Sequence, residues 1–257
     1  MQALAQWWQR LTVRSVSQAW GLAPQGNTWS LVGLARQGRE LARVHTTLSL
    51  QAPDDTGLVD LAWLSLALRQ NGRLRGGFMH RLHITLPAAH VQEGIIDIPA
   101  QLPEEDWPDE VQLEVSQALG LAPDAVNFDF ASEPLTQNQV RRLHWIGCAQ
   151  TLTNGFKNCT RAAGWRLAAV ESEAQAAWRG VDALQGGVSS LLTQAPQDWQ
   201  FRLPSQSRPP PAAGLADSNA AMVEARQEAI QKAIGQVLRT PTGARLIASG
   251  LALKAWQ

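Results

Sequence analysis

The sequence predicts an α/β fold, and three observations predict it. Short apolar and β-branched runs bounded by turn residues recur along most of the chain, segments of helical period stand between them, and 257 residues suffice to bury a sizeable core. With 22 Lys+Arg against 22 Asp+Glu and only 17% charged residues, no field of either sign exists to steer a polyanion, which argues against a nucleic-acid binder with a broad basic face. Two cysteines, Cys148 and Cys159, are too few for a disulfide framework. Arg10 and Arg14 interrupt any N-terminal signal-like apolar run, so a reducing cytoplasm is the expected compartment. The longest apolar stretch, Leu58 to Leu68, is about half of a membrane span and contains Asp60.

Each element follows from its own pattern. Leu4, Trp7, Trp8 and Leu11 recur at helical spacing opposite Gln2, Gln6, Gln9 and Arg10, an amphipathic helix that can dock on the chain's own core or rest in a lipid interface. TWSLVGLAR and ELARVHTTLSL, divided by a turn at Gln37 and Gly38, read as a hairpin. GLVDLAWLSLALRQNG reads as a buried helix stopped at Asn71-Gly72. FMHRLHITLP and HVQEGIIDIP read as strands closed by Pro87 and Pro99. From Pro103 to Leu119 the period is helical, with Trp107, Val111, Val115, Ala118 and Leu119 on one face. Glu104, Glu105, Asp106, Asp109 and Glu110 crowd the first turns, where the helix dipole favours negative charge.

AVNFDFASE alternates as a strand, VRRLHWIGCAQ is a further strand, TLTNGFKNCTRAAG is helical, and WRLAAVESEAQAAWRGV begins as a strand and becomes a helix. SLLTQAP and DWQFRLP suggest a short hairpin, and Pro204 to Gly214, with its SRPPPAAG run, reads as an extended linker. Val223, Ile230, Ile234, Val237 and Leu238 mark one helical face. A last helix, ARLIASGLALKAW, follows Pro241.

Common catalytic motifs are absent: there is no P-loop, GxGxxG, HExxH, CxxC or GxSxG. His80 and His83 are an odd number apart, so on a strand they face opposite ways and cannot converge with His90 on one ion. Cys148 and His144 can share a strand face, the minimum for a thiolate–imidazole pair, but nothing nearby orients the base. Asn158-Cys159-Thr160 matches a glycosylation pattern that has no use in a reducing compartment. Asp97, Asp129 and Glu171 sit near strand ends, where carboxylates serve as acids, bases or metal anchors, and more often as capping or solvated groups. No catalytic residue and no metal ligand set is assigned.

Four segments carry a family likeness: GLAPQGNTWSLVGL, GIIDIPAQLPEEDWPDEVQLEVSQALGLAPDAVNFDF, AAGWRLAAVESEAQAAWRG and ARLIASGLALKAW. In order and spacing they resemble the PilM family of type IV pilus assembly, which has an actin-like ATPase fold. The resemblance implies an actin-like (ribonuclease H-like) first lobe over residues 20–182, after an N-terminal helix and lead-in over 1–19. It also implies an inserted α+β subdomain at about 79–149, a reduced second lobe with a Pro-rich linker over 183–217, and C-terminal helices over 218–257. The second lobe is thus largely missing.

The departures from the family pattern bear on chemistry. Where the family's first loop runs Gly, apolar, Asp, apolar, Gly, this chain has Gly21, Leu22, Ala23, Pro24 and Gln25. Ala23 cannot hold a metal-bound water, and Pro24 has no backbone donor for a phosphate. Gly26, Asn27 and Thr28 remain as a degenerate phosphate loop. The resemblance therefore implies a non-catalytic adaptor without cofactor, the alternatives being a divergent ATP–Mg-binding ATPase or a cytoplasmic component of a type II secretion platform. The implied partner is the cytoplasmic tail of a PilN-type bitopic inner-membrane protein, bound through Ile95, Ile96, Ile98 and Trp107, with peripheral membrane contact through Leu4, Trp7, Trp8 and Leu11. No nucleic-acid partner is implied.

Overall fold

The computed structural model describes residues 18–53, 61–72, 80–133, 140–203, 235 and 240–257. The expected N-terminal helix with Leu4, Trp7, Trp8 and Leu11, the linker from Pro204 to Gly214, and the face of Val223, Ile230, Ile234, Val237 and Leu238 lie outside the described residues.

In chain order, β1 (Gln18–Gln25), β2 (Thr28–Gln37) and β3 (Leu41–Gln51) make an antiparallel meander. Gly26, at φ 56°, supplies the positive dihedral that the two-residue turn between β1 and β2 demands. Then come α1 (Ala62–Gly72), β4 (His80–Thr85), β5 (Gln92–Pro99), α2 (Trp107–Leu119), β6 (Val126–Ser132) and β7 (Val140–Ala149). The chain continues with α3 (Gln150–Ala162), β8 (Trp165–Glu171), α4 (Glu173–Ala183), α5 (Gly187–Thr193), β9 (Gln200–Arg202) and α6 (Pro241–Leu253).

The main sheet runs β8-β4-β1-β2-β3-β9, with β4 parallel to β1 and β8 parallel to β4. An antiparallel meander extended by parallel strands beside its first member is the arrangement of an actin-like, ribonuclease H-like lobe, as expected. Both faces of the sheet are covered. On one, Trp20, Leu22, Trp29, Leu31, Leu82 and Ile84 pack with Leu64 and Leu68 of α1 and Phe156 of α3. On the other, Ala19, Ala23, Val32 and Leu34 pack with α4, α5 and α6. Alternation along β1 thus sends bulky side chains one way and small ones the other, and the small ones let α6 come close. A Cβ at Gly21 would lie 1.9 Å from the Ala248 carbonyl oxygen, and one at Gly250 would lie 1.8 Å from that of Ala176. The helix therefore rests backbone to backbone on β1 and α4.

The second sheet, β5-β7-β6, is antiparallel and is inserted between β4 and α3. α2 covers one of its faces, burying Trp107, Val111 and Val115 against Ile98, Val126, Leu143 and Trp145. Gly120, at φ 64°, caps α2, as its position past the last apolar residue predicts. Ala118, expected on the buried face, is exposed, while the neighbouring Leu119 packs against the core.

One expectation is overturned. SLLTQAP and DWQFRLP do not pair with each other: Ser189 to Thr193 belong to α5, and the three residues of β9 pair instead with Leu41–Arg43 of β3. The apolar side of 184–203 finds its core against the main sheet, where Trp199 and Phe201 are fully buried, so a strand at 189–193 would leave Leu191 without that core. Within 184–203, β9 adds the edge strand of the first sheet, and Leu191 of α5 packs in the same core.

Candidate functional site

The two sheets diverge from a common anchor. β7 runs straight into α3, and Cys148 near that junction belongs to the main core, whereas Leu143 and Trp145, further back along the strand, belong to the α2 core. Asn127 of β6 donates through Nδ2 to Thr153 Oγ1 of α3, tying the second sheet down at the same end. Beside this anchor, reaching Asn127, Cys148 and Thr153, lies a cleft of about 650 Å³, lined by Leu86, Val91 and the Glu171–Gln175 turn on one side and by all three strands of the second sheet on the other.

Strand alternation decides which side chains face it. Ile96, Ile98, Val126, Leu143 and Trp145 pack with α2, so Glu93, Ile95, Asn127, Asp129, His144, Ile146 and Cys148 carry the opposite face. Of the four residues expected to meet a partner, Ile95 alone faces the cleft, more than half exposed at 54%. Ile96 packs against the α2 core. Ile98 and Trp107 are buried between sheet and helix; the Trp107 indole donates to the Leu102 carbonyl and Arg141 lies 4.7 Å from its ring centroid. Those three are core residues. Ile146 and Asp129, which the sequence reading did not single out as partner contacts, line the cleft with Ile95; the period of two in VRRLHWIGCA and VNFDFAS already carried that signal.

The opposite wall is set by Glu171, the last residue of β8. Arg179 donates to both its carboxylate oxygens, at 2.6 and 3.0 Å, and Lys254 from the end of α6 donates to Oε1. Burial pushes the Glu171 carboxyl up, but the hydrogen bonds from Arg179 and Lys254 and their charges outweigh it, so its pKa lies below the ordinary carboxylate value. A carboxylate so held is a poor proton acceptor and serves to join β8, α4 and α6. Ser172 caps α4 by accepting from the Gln175 N–H at 3.2 Å. Beneath this wall His83 is buried with Nδ1 unpaired, and burial, helped by Lys254, Arg179 and Arg81 against Glu171, lowers its pKa to about 4.

The remaining candidates separate. His144 is bonded to Glu133 at 2.5 Å, and burial pushes the Cys148 thiol up. Four residues along a strand place these two about 13 Å apart, so they form no nucleophilic pair. Asp97 pairs with Arg142 at 3.1 Å, and Asp129 accepts from the Phe130 N–H at 2.9 Å. His80 is packed edgewise and tilted against Trp20 and Trp165. No group of three or more His, Cys, Asp or Glu that could hold a metal is present among the described residues.

Gly26, Asn27 and Thr28 form the tip between β1 and β2 and do not line the cleft. The Asn27 carbonyl accepts from the Ala52 N–H at 2.7 Å, and Thr28 donates to Gln51 Oε1 at 3.0 Å, two bonds that hold the tip to the end of β3. Pro24 fits because Gln25 and Thr28 close the turn, which leaves Pro24–Trp29 as the next, non-hydrogen-bonded pair. Pairing with β4 has ended by Leu22, so its missing donor costs no ladder bond.

No protein-family model and no curated protein matches the chain. Solved structures are similar to it. A PilM–PilN type IV pilus biogenesis complex is 19% identical, with a TM-score of 0.49 over 65% of this chain and 52% of that one. The cytoplasmic domain of EpsL, an inner-membrane component of the type II secretion system of Vibrio cholerae, is 11% identical, with a TM-score of 0.46 over 62% and 58%. A Bacteroides thetaiotaomicron protein of unknown function with an actin-like ATPase fold is 11% identical, with a TM-score of 0.35 over 67% and 59%. The chain spans a little over half the length of each. Among the described residues no helix is long and apolar enough to cross a membrane.

Proposed function

We propose that this protein is a non-catalytic adaptor of type IV pilus assembly, which holds the cytoplasmic tail of a PilN-type inner-membrane partner in the cleft between its two sheets and links it to the cytoplasmic platform. The observation that carries the reading is the cleft itself. One wall is a strand face with Ile95 and Ile146 open to an occupant, and the other is a turn whose lining carboxylate, Glu171, is already tied to Arg179 and Lys254. A groove floored by sheet and set with apolar side chains suits an extended peptide, gripped without bond-making chemistry. The Thr28 hydroxyl, spent on Gln51, and Pro24, which has no backbone donor, favour the absence of ATP turnover over a divergent ATPase. A bitopic partner would supply the membrane anchor.

Fluorescence anisotropy of the labelled tail peptide tests the reading. The full chain is expected to bind it and the Ile146→Glu variant, which places a charge on the apolar floor, to lose it, while ATP–Mg gives no binding heat in calorimetry. Peptide affinity unchanged by Ile146→Glu contradicts the cleft, and saturable ATP–Mg heat contradicts the adaptor.

A further inference from the structure

We infer that the tail held in the cleft is basic as well as apolar, one of its Lys or Arg side chains lying over Ile146 between Glu93 and Asp129. The inference deepens the reading above and rests on it. The strand register places Glu93 opposite Ile146 on one side and Asp129 opposite Ile146 on the other, so the three make one row across the sheet. All three lie on the face that α2 leaves open, and all three line the cleft. Two strand spacings set the backbones of the two acids about 10 Å apart, with an apolar side chain between them.

Neither acid enters a salt bridge among the described residues. Asp129 accepts the neighbouring Phe130 N–H through Oδ1, which leaves its second oxygen for an occupant. The cations nearby are spoken for. Lys254, the one Lys or Arg of the lining, is held by Glu171, and Arg142 beyond it by Asp97. The lining thus sets Glu93, Asp129 and Glu171 against Lys254 alone.

A side chain crossing this row meets acid, apolar surface, acid. A guanidinium sends donors in opposite directions within one plane while its methylene stem lies on apolar surface, which fits that order. In the next row Ile95 offers a half-exposed apolar contact beside His144, which Glu133 already engages. An acidic tail would face two carboxylates, and phosphate-rich surfaces, lipid or nucleic acid, are repelled on the same ground.

The test uses the full chain, the cytoplasmic tail peptide of the PilN-type partner, and a version of that peptide with every Lys and Arg replaced by Gln, followed by fluorescence anisotropy. The substituted peptide is expected to bind about tenfold or more weakly. The Glu93→Gln/Asp129→Asn variant should weaken the native peptide by a similar factor and leave the substituted one unchanged, a coupling that a merely structural effect would not produce. Raising NaCl from about 0.05 to about 0.5 M should narrow the gap between the peptides. Both acids are exposed on strands, so the variant is expected to keep its thermal midpoint. Equal binding of both peptides, still abolished by Ile146→Glu, overturns the basic requirement and leaves the cleft reading standing. Failure of the unaltered chain to bind either peptide overturns both.

Discussion

Replacing Gly250 with Ala puts the close seating of α6 to the test. A methyl carbon there would stand 1.8 Å from the Ala176 carbonyl oxygen and 2.7 Å from its carbon. Carbon–oxygen contacts settle at roughly 3.3 Å or more, so α6 and α4 would have to part by about 1.5 Å. The helix has no slack on its other side, where a Cβ at Gly21 would already meet the Ala248 oxygen, and Ala248, Leu251 and Ala252 are fully buried. Alanine gains about 1 kcal/mol of helix propensity over glycine. Overpacking of a rigid backbone contact costs 1–3 kcal/mol and occasionally more, and a clash this deep belongs at or above the top of that range. A net loss of about 2–3 kcal/mol follows, or roughly 4–12 °C in Tm for a chain of this size.

Thermal unfolding followed by circular dichroism reads this, with Gly155→Ala in α3 as the control. There the nearest atom to a new Cβ is Leu61 Cδ1, at an ordinary 3.4 Å, so the propensity gain stands alone and Tm holds or rises. Gly250→Ala matching or exceeding the unaltered protein, or falling no further than Gly155→Ala, would refute the packing argument.

Two further outcomes come from buried charge. His83 is neutral in the fold down to about pH 4 but takes up a proton near 6.5 when unfolded, so the unfolded state binds more protons across that window. Stability is then complete above pH 6.5 and declines between 6.5 and about 4, by roughly 3 kcal/mol in all, and urea midpoints of His83→Gln should decline less over the same range. Glu171→Gln leaves Arg179 with an uncompensated charge and should cost about 3 kcal/mol in urea unfolding at neutral pH. Because the folded pKa of Glu171 is depressed, that difference is present above the unfolded carboxylate value and shrinks as pH falls through the folded one.

What the sequence made legible were the elements whose period is unbroken. The β2–β3 hairpin, α2 with its acidic first turns, and the closing helix α6 each bury the face that their spacing exposes to reading. Within β5 the reading stopped short. Ile95 and Ile96 are adjacent on a strand and cannot share a face, so the floor of the cleft required deciding which one turns from α2, and α2 lies later in the chain. α5 escaped because SLLT is too short to display a period, and its core is assembled from β2, β3 and α6. The Glu171 cluster escaped for a different reason: its partners stand 8 and 83 residues away, and only the sheet order brings the ends of β8 and α6 together. Gly21 was read as part of a phosphate loop, whereas its place beneath α6 is sufficient to require glycine.

The adaptor reading stands on occupancy of the cleft, and site-specific photo-crosslinking measures that directly. With p-benzoylphenylalanine in place of Ile95 on the cleft face, and separately in place of the exposed Leu113 on the outer side of α2, illumination in the presence of the tail peptide should yield adduct at position 95 and none at 113. Adduct at 113 without adduct at 95 would contradict it.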